Sequence, residues 1–210
     1  MRRLILLTVA IWLYISTFAE KYNNFFSKYN FSFITEEVGL PHNYIDDIYK
    51  DSKGYIWVAT HNGIGRYNGY QFLHYDTRTS SVKLKSNFVH KICEDNHQRL
   101  WIGTEEGISI IHLNNYQETS ILSDIYPETN EIFHSNIETI YKEKEGNLWI
   151  STDKSLWCLE FNDEGAIQDY YHLEHGAQSS IHAIIDLGWC ICAGIDNHVC
   201  QIKRSPKHQL

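Results

Sequence analysis

Twelve histidines, five cysteines and 26 carboxylates offer this chain many groups that bind metals or move protons. Their spacing decides which chemistry is open. No H-E-x-x-H or related pair of ligands at helical spacing occurs, so a zinc hydrolase site has no sequence support. Cys190-x-Cys192, with Cys200 eight residues on, lacks a fourth ligand at zinc-finger distance. Cys93 and Cys158 stand alone inside apolar runs, and all five cysteines read as small buried hydrophobes. Asp46–Asp47 and Glu105–Glu106 are neighbours in sequence, and along a strand or turn their side chains are expected to point opposite ways. A glycosidase pair instead needs two carboxylates facing each other across a cleft. There is no G-x-S-x-G turn and no phosphate loop. The expectation is no catalytic residue, no metal and no cofactor.

The elements that would position a site begin after residue 19. "MRRLILLTVAIWLYISTFA" has Arg2 and Arg3, an apolar run to about Phe18 and a small residue, Ala19. This is the pattern of a secretory signal peptide. The run falls short of the roughly 20 residues of a spanning helix, and an uncleaved N-terminal anchor is the rival reading. Either predicts export to the periplasm. Removing the two arginines takes the formal net charge from −8 to −10. Nucleic acid and anionic membrane surfaces are therefore not expected partners. With 43% hydrophobic and 14% aromatic residues, the remainder can bury a core.

"GYIWVATHNGI" at Gly54, "QRLWIGTEEGI" at Gln98 and "GNLWISTDKSL" at Gly146 repeat one phrase. Anchored on Trp57, Trp101 and Trp149, the spacings are 44 and 48 residues. Fixed columns accompany the tryptophans: Ile48, Ile92 and Ile140 upstream, and Thr60, Thr104 and Thr152 downstream. A weaker fourth copy, "SIHAIIDLGWCICAG", keeps Ile181 and Ile184 and is read with Ile191 in the Trp column. Each unit reads as four short strands split by Asp- and Gly-bearing turns. Four strands repeated at this period predict an all-β fold of β-propeller blades, four-stranded antiparallel sheets, at 41–76, 86–122, 134–173 and 180–202. In this reading the Trp is a plate filling the gap between neighbouring sheets, and the small residue two places on lets the next blade approach. The Thr hydroxyl serves turn backbone. "YNFSFIT" from Tyr29 matches the outer strand "YQFLHYD" from Tyr70, so an outer strand with no blade of its own is expected at 29–35.

"GLPHNYIDDIYKDSKGYIWVATHNGIGRYNGYQFLHY" (Gly39–Tyr75) resembles the first blade of the two-component regulator propellers. These form the exported sensor region of hybrid two-component systems, in which histidine kinase and response regulator share one chain. The pattern matches at Asn43, Ile45, Ile48, Asp51, Gly54, Ile56, Trp57, Val58, Thr60, Gly63, Ile64, Arg66 and Tyr67, with Ala59 in place of the usual Gly. Gln98 and Ser155 replace glycines in the later copies. The likeness covers 29–202. It implies a periplasmic ligand-sensing module, in many relatives for glycan fragments, here without kinase or output domains. A propeller enzyme acting on polysaccharide and a protein-binding scaffold are the alternatives.

About three and a half blades are expected to form an open arc of a larger, seven-bladed propeller rather than a four-bladed ring. Seven blades turn about 51° each and four about 90°, and packing is fixed to one angle. Apolar residues such as Trp57 or Ile191 would then lie near water at the exposed blade edges and favour a homo-oligomer. Loops between second and third strands share one rim with those entering the inner strands. This makes His61, Asn62, Glu105, Glu106, Asp153 and Lys154 the candidate ligand-binding residues for an oligosaccharide. The stretches 77–86, 123–135 and 174–180 join them there, and Tyr126 and Phe133 are aromatics of these loops. Asn43, Asn87 and Asn136 start inner strands nearby and are read as backbone caps.

Overall fold

Each Trp phrase becomes the second strand of one antiparallel sheet. A computed structural model describes residues 30–78, 82–118, 127–174, 180–188, 190–196 and 198–202; residues 1–19, where a leader is expected, lie outside them. Blade one contains β1 (Ile45–Lys50), β2 (Ile56–Thr60), β3 (Gly63–Tyr67) and β4 (Phe72–Tyr75). Blade two contains β5 (Val89–Glu94), β6 (Arg99–Thr104), β7 (Gly107–His112) and β8 (Gln117–Glu118). Blade three contains β9 (Ile137–Lys142), β10 (Leu148–Thr152), β11 (Ser155–Phe161) and β12 (Ile167–Glu174). Blade four has three strands among the described residues, β13 (Ile181–Asp186), β14 (Ile191–Ile195) and β15 (His198–Ile202). Strand order follows the chain in every sheet. The chain is all-β, with short 3-10 segments at Glu36–Val38 and Pro127–Phe133.

Each blade has two faces, and alternation along the strands assigns them. The Trp face of blade one (Trp57, Ala59, Ile64, Tyr75) packs on Val89, Ile92, Leu100 and Ile102 of blade two. Trp101, Ile108 and Ile110 then pack on Ile137, Ile140, Leu148 and Ile150 of blade three. Trp149, Leu156 and Cys158 do the same to Ile181, Ile184, Ile191 and Ala193 of blade four. The small column is needed for this approach: a Cβ added at Gly103 would lie 2.6 Å from Ile137 Cγ2. The Thr column closes the turn after the second strand. Thr60 Oγ1 donates to Gly63 O (2.8 Å) and accepts from Asn62 N, and Thr104 donates to Gly107 O (2.7 Å).

The indole has a second task. Trp57 Nε1 donates to Asp51 Oδ2 (2.7 Å), Trp101 Nε1 to Asp95 Oδ2 (2.8 Å) and Trp149 Nε1 to Glu143 Oε2 (3.2 Å). The same carboxylates hold the turn between the first two strands; Asp51 Oδ1 accepts from the backbone N–H of Lys53 and Tyr55. A buried indole N–H needs an acceptor, and the turn acid supplies it.

Three expectations are corrected. In blade four, Ile185 pairs with Cys192 as Cys93 pairs with Trp101, so Cys192 and not Ile191 occupies the Trp column. The turn there is one residue shorter than in the other copies, and Ile191 is buried against blade three. The free apolar residues also differ. Trp57 and Ile191 are buried, because the Trp face of blade one is covered by blade two. What stands in water is the opposite face of blade one, where Ile48 is 63% exposed against 3%, 5% and 9% for Ile92, Ile140 and Ile184. Ile185 and Val199 are exposed on the Trp-side face of blade four. Third, Asn30–Thr35 form no strand, and Phe33 is 89% exposed. The carbonyl of Thr35 is taken up by turn bonds from Val38 and Leu40 rather than by a ladder. By contacts the chain divides into Met1–Ile34 and Thr35–Leu210, and all four blades belong to the second unit.

Candidate functional site

The second-to-third-strand turns are anchored at one rim by a repeated backbone bond. His61 N donates to Tyr44 O, Glu105 N to Phe88 O, Asp153 N to Asn136 O and Asp196 N to Ser180 O. Each bond ties the turn to the residue just before an inner strand of the same blade. All six candidates therefore sit on equivalent rim positions of blades one to three. Asn62 turns its amide to Pro41 O (3.4 Å), while Glu105, Glu106 and Lys154 are exposed.

His61 enters a side-chain cluster. Its ring lies 3.9 Å from that of Tyr44 and 5.3 Å from that of Phe88, centroid to centroid, and His42 stacks behind it at 6.4 Å. Asp46 Oδ2 lies 3.2 Å from His61 Nε2 and 3.1 Å from His90 Nδ1, bridging blades one and two. Asp46, His90, Tyr44 and Phe88 were not among the sequence candidates.

The cause of that omission is a register shift at Ile45/Asp47, where β1 pairs irregularly with β2. A bulge re-aims side chains. It brings both Asp46 and Asp47 toward blade two, against the expectation that neighbouring acids diverge. Asp47 Oδ2 accepts from Ile92 N (3.1 Å), and Oδ1 lies 3.4 Å from Lys91 Nζ. Shifts recur at Val89/Lys91 and Ile181/Ala183. Glu138, in the Asp46 column of blade three, likewise reaches across to Ile181 N and Ser180 Oγ (both 2.8 Å).

Blade three contributes acceptors. Asn136 Oδ1 and Asp153 Oδ1 are shut from solvent and meet no donor among the described residues. Leaving a buried acceptor unmet costs about 1–3 kcal/mol, so each favours an incoming N–H or O–H. Asn43 and Asn87 do cap backbone: Asn43 Oδ1 accepts from Glu36 N, and Asn87 Oδ1 from Thr77 N. Phe133 packs near Trp101 against the core. Tyr126 and parts of the loops 77–86, 123–135 and 174–180 lie outside the described residues.

Below the rim, the inner strands line a groove of about 470 Å³ with Asp47, Tyr49, Lys91, Tyr141, Lys142 and His182 among its walls. Burial pushes the Tyr49 hydroxyl and the Cys93 thiol each up to about 12. Cys93 is thus a neutral thiol at ordinary pH and not a nucleophile. Among the described residues, no three His, Cys, Asp or Glu side chains are grouped to hold a metal ion. None of the described helices is long and apolar enough to cross a membrane.

Sheets of this kind, repeated and packed face to face, define a β-propeller class of protein. The family model described as "Two component regulator propeller" matches residues 39–62 and 83–106. The matched stretches hold the first two strands of blades one and two. The extracellular domain of the hybrid two component system BT3049 from B. thetaiotaomicron is 29% identical, with a TM-score of 0.57. The match covers 72% of this chain and 21% of that one, so the chain spans about a fifth of that structure's length. A catalytically inactive virginiamycin B lyase from Staphylococcus aureus is 16% identical (TM-score 0.52; 76% of this chain, 55% of that one). An ancestral GH74 enzyme is 11% identical (TM-score 0.57; 79% and 23%). These two show the shared fold alone. No curated protein matches the chain in sequence.

Proposed function

We propose that this chain is a ligand-sensing propeller module of a hybrid two-component signalling system, working outside the cytoplasmic membrane and reading glycan fragments. The observation that carries the reading is the composition of the rim. Ring faces at Tyr44, His61 and Phe88 suit the apolar face of a sugar, and unmet acceptors at Asn136 and Asp153 suit its hydroxyls. The two-component regulator repeats and the likeness to an extracellular sensor domain support the signalling context. Asp46 holds His61 and His90 by hydrogen bonds, which fixes the ring against which a ligand would stack.

Isothermal titration of the purified chain with a panel of neutral and acidic oligosaccharides tests this. At least one class should bind. His61→Ala and Asp153→Ala should each weaken it about tenfold, the equivalent of about 1.4 kcal/mol. Absence of binding across the panel would overturn the reading, and turnover of a bound oligosaccharide would move it to a polysaccharide-acting enzyme.

A further inference from the structure

We propose that Cys190 and Cys192 form a dithiol that a small-molecule disulfide oxidises to a disulfide within one strand, a reversible modification site in blade four. The fold itself brings the two sulfurs together. Cys192 holds the Trp column, and Cys190 holds the column two residues before it. The turn bond agrees: Asp95 N donates to Arg99 O in blade two, and Leu187 N to Cys190 O in blade four. In blades two and three, side chains from these two columns meet at one carboxylate. Arg99 Nε and Trp101 Nε1 both donate to Asp95 Oδ2, at 2.6 and 2.8 Å. Asn147 Nδ2 and Trp149 Nε1 donate to the two oxygens of Glu143. In blade four the corresponding pair meets directly, with Cys190 Sγ 3.8 Å from Cys192 Sγ.

A third group completes the arrangement. Cys192 pairs with Gln201 of β15 in the ladder, so their side chains share one face of the sheet. From there Gln201 Nε2 donates to Cys190 Sγ at 3.2 Å. An N–H aimed at a sulfur steadies the negative charge that builds as the thiol proton leaves. Cys200 pairs with Ala193 instead, which sets it on the opposite face of the sheet.

The step is two successive thiol–disulfide exchanges. One sulfur of the pair, as thiolate, attacks the reagent disulfide and releases one reagent thiolate. The other sulfur gives up its proton and displaces the reagent from the mixed disulfide. Two protein S–H bonds and one reagent S–S bond give way to one protein S–S bond and two reagent S–H bonds. The protein sulfurs lose two electrons, and the reagent gains them. Residues two apart on a strand stand about 6.6 Å apart, and a disulfide bridges spans of about 4.4–6.8 Å. A bond near that upper limit is readily reduced again. The loop it closes holds only residues 190–192, so it adds little to the stability of the blade. Those are the properties of a switch rather than a staple. Both sulfurs belong to one short stretch of one blade, so closure needs no other element to move into place.

Cys200→Ser in the full chain removes the exposed thiol that would otherwise take up the reagent. That variant, reduced and then held folded in excess oxidised glutathione, should lose two hydrogens by intact-mass spectrometry. Its titratable thiols, the five of the chain less Cys200, should fall by two and return with dithiothreitol. Adding Cys190→Ala or Cys192→Ala should abolish the loss of two hydrogens with an unchanged circular dichroism spectrum. A glutathione adduct on the remaining sulfur is then expected at most. Retention of all the thiols, an adduct in place of the loss of two hydrogens, or a loss that persists in Cys192→Ala would overturn the proposal. None of these results depends on whether a glycan binds.

Discussion

Blades one to three and blade four are built on the same ladder but solve the edge of the sheet differently. In the first three, an indole reaches a carboxylate six residues upstream: Trp57 to Asp51, Trp101 to Asp95, Trp149 to Glu143. In blade four the Trp column holds Cys192, and the pairing that sets Ile185 opposite Cys192 puts Leu187 in the acid column. Cys192 offers no indole N–H and Leu187 no carboxylate at these ladder positions, while Asp186 beside Leu187 keeps the turn bond to Gly188 N. A lone Trp would leave its N–H unmet, and a lone buried acid would leave a charge without a donor, so either half is costly without the other. The pair belongs where another blade packs over it. Where the face is open, as in blade four, the chain carries neither.

The largest test removes a covered plate. Trp101 is fully buried between blades two and three. Trp101→Ala should destabilise the chain by about 3–5 kcal/mol through the cavity it opens. Cys192→Ala, at the same ladder position in blade four, should stay within about 0.5 kcal/mol. Denaturant melts of the two variants side by side check the contrast, and equal effects would break it.

The second test keeps the plate and weakens its acceptor. Asp95 takes the Trp101 indole N–H, the Arg99 guanidinium at 2.6 Å, and the backbone N–H of His97 and Arg99. Arg99 in turn donates to Gly165 O of blade three at 2.6 Å. Asp95→Asn preserves shape but loses the charge-assisted bond, and should cost about 2 kcal/mol. If thermal melts show less than Cys192→Ala, the carboxylate is not what the indole needs.

Much of this arrangement was legible in the chain itself. The Trp, Thr and Ile columns at fixed offsets defined blades one to three, because every blade must fill the same gap. The acid six residues before each Trp was visible too, but its turn-capping role hid its second bond. Blade four was misread by one residue for a physical reason. Without the bulky Trp, nothing in composition locates the second strand against the first, and only the ladder from Ile181 to Ile195 fixes it. The rim cluster of Asp46, His61 and His90 was hidden by the bulge, since strict alternation sends Asp46 and Asp47 to opposite sides. Which faces meet water depends on where neighbouring blades stand, and this is a property of packing that periodicity does not carry.

The smallest effect is the sharpest test of the comparison, because it builds the missing pair. Cys192→Trp alone sets an indole on a face where Ile185 and Val199 are already exposed, with Leu187 where the acid would stand. It should change stability by less than about 0.5 kcal/mol. Adding Leu187→Asp puts a carboxylate in the ladder position that Asp51 and Asp95 hold in their blades, at the turn that those acids cap. The turn in blade four is one residue shorter, so Gly188 N, which now donates to Asp186 Oδ1 at 2.6 Å, must accommodate the new carboxylate. The double variant should exceed the sum of the single ones by about 1 kcal/mol, the net worth of one satisfied hydrogen bond. A double-mutant cycle by chemical denaturation measures that coupling. Zero coupling would mean that indole and acid are kept for separate reasons, the plate for packing and the acid for the turn, and that their joint loss in blade four is coincidence.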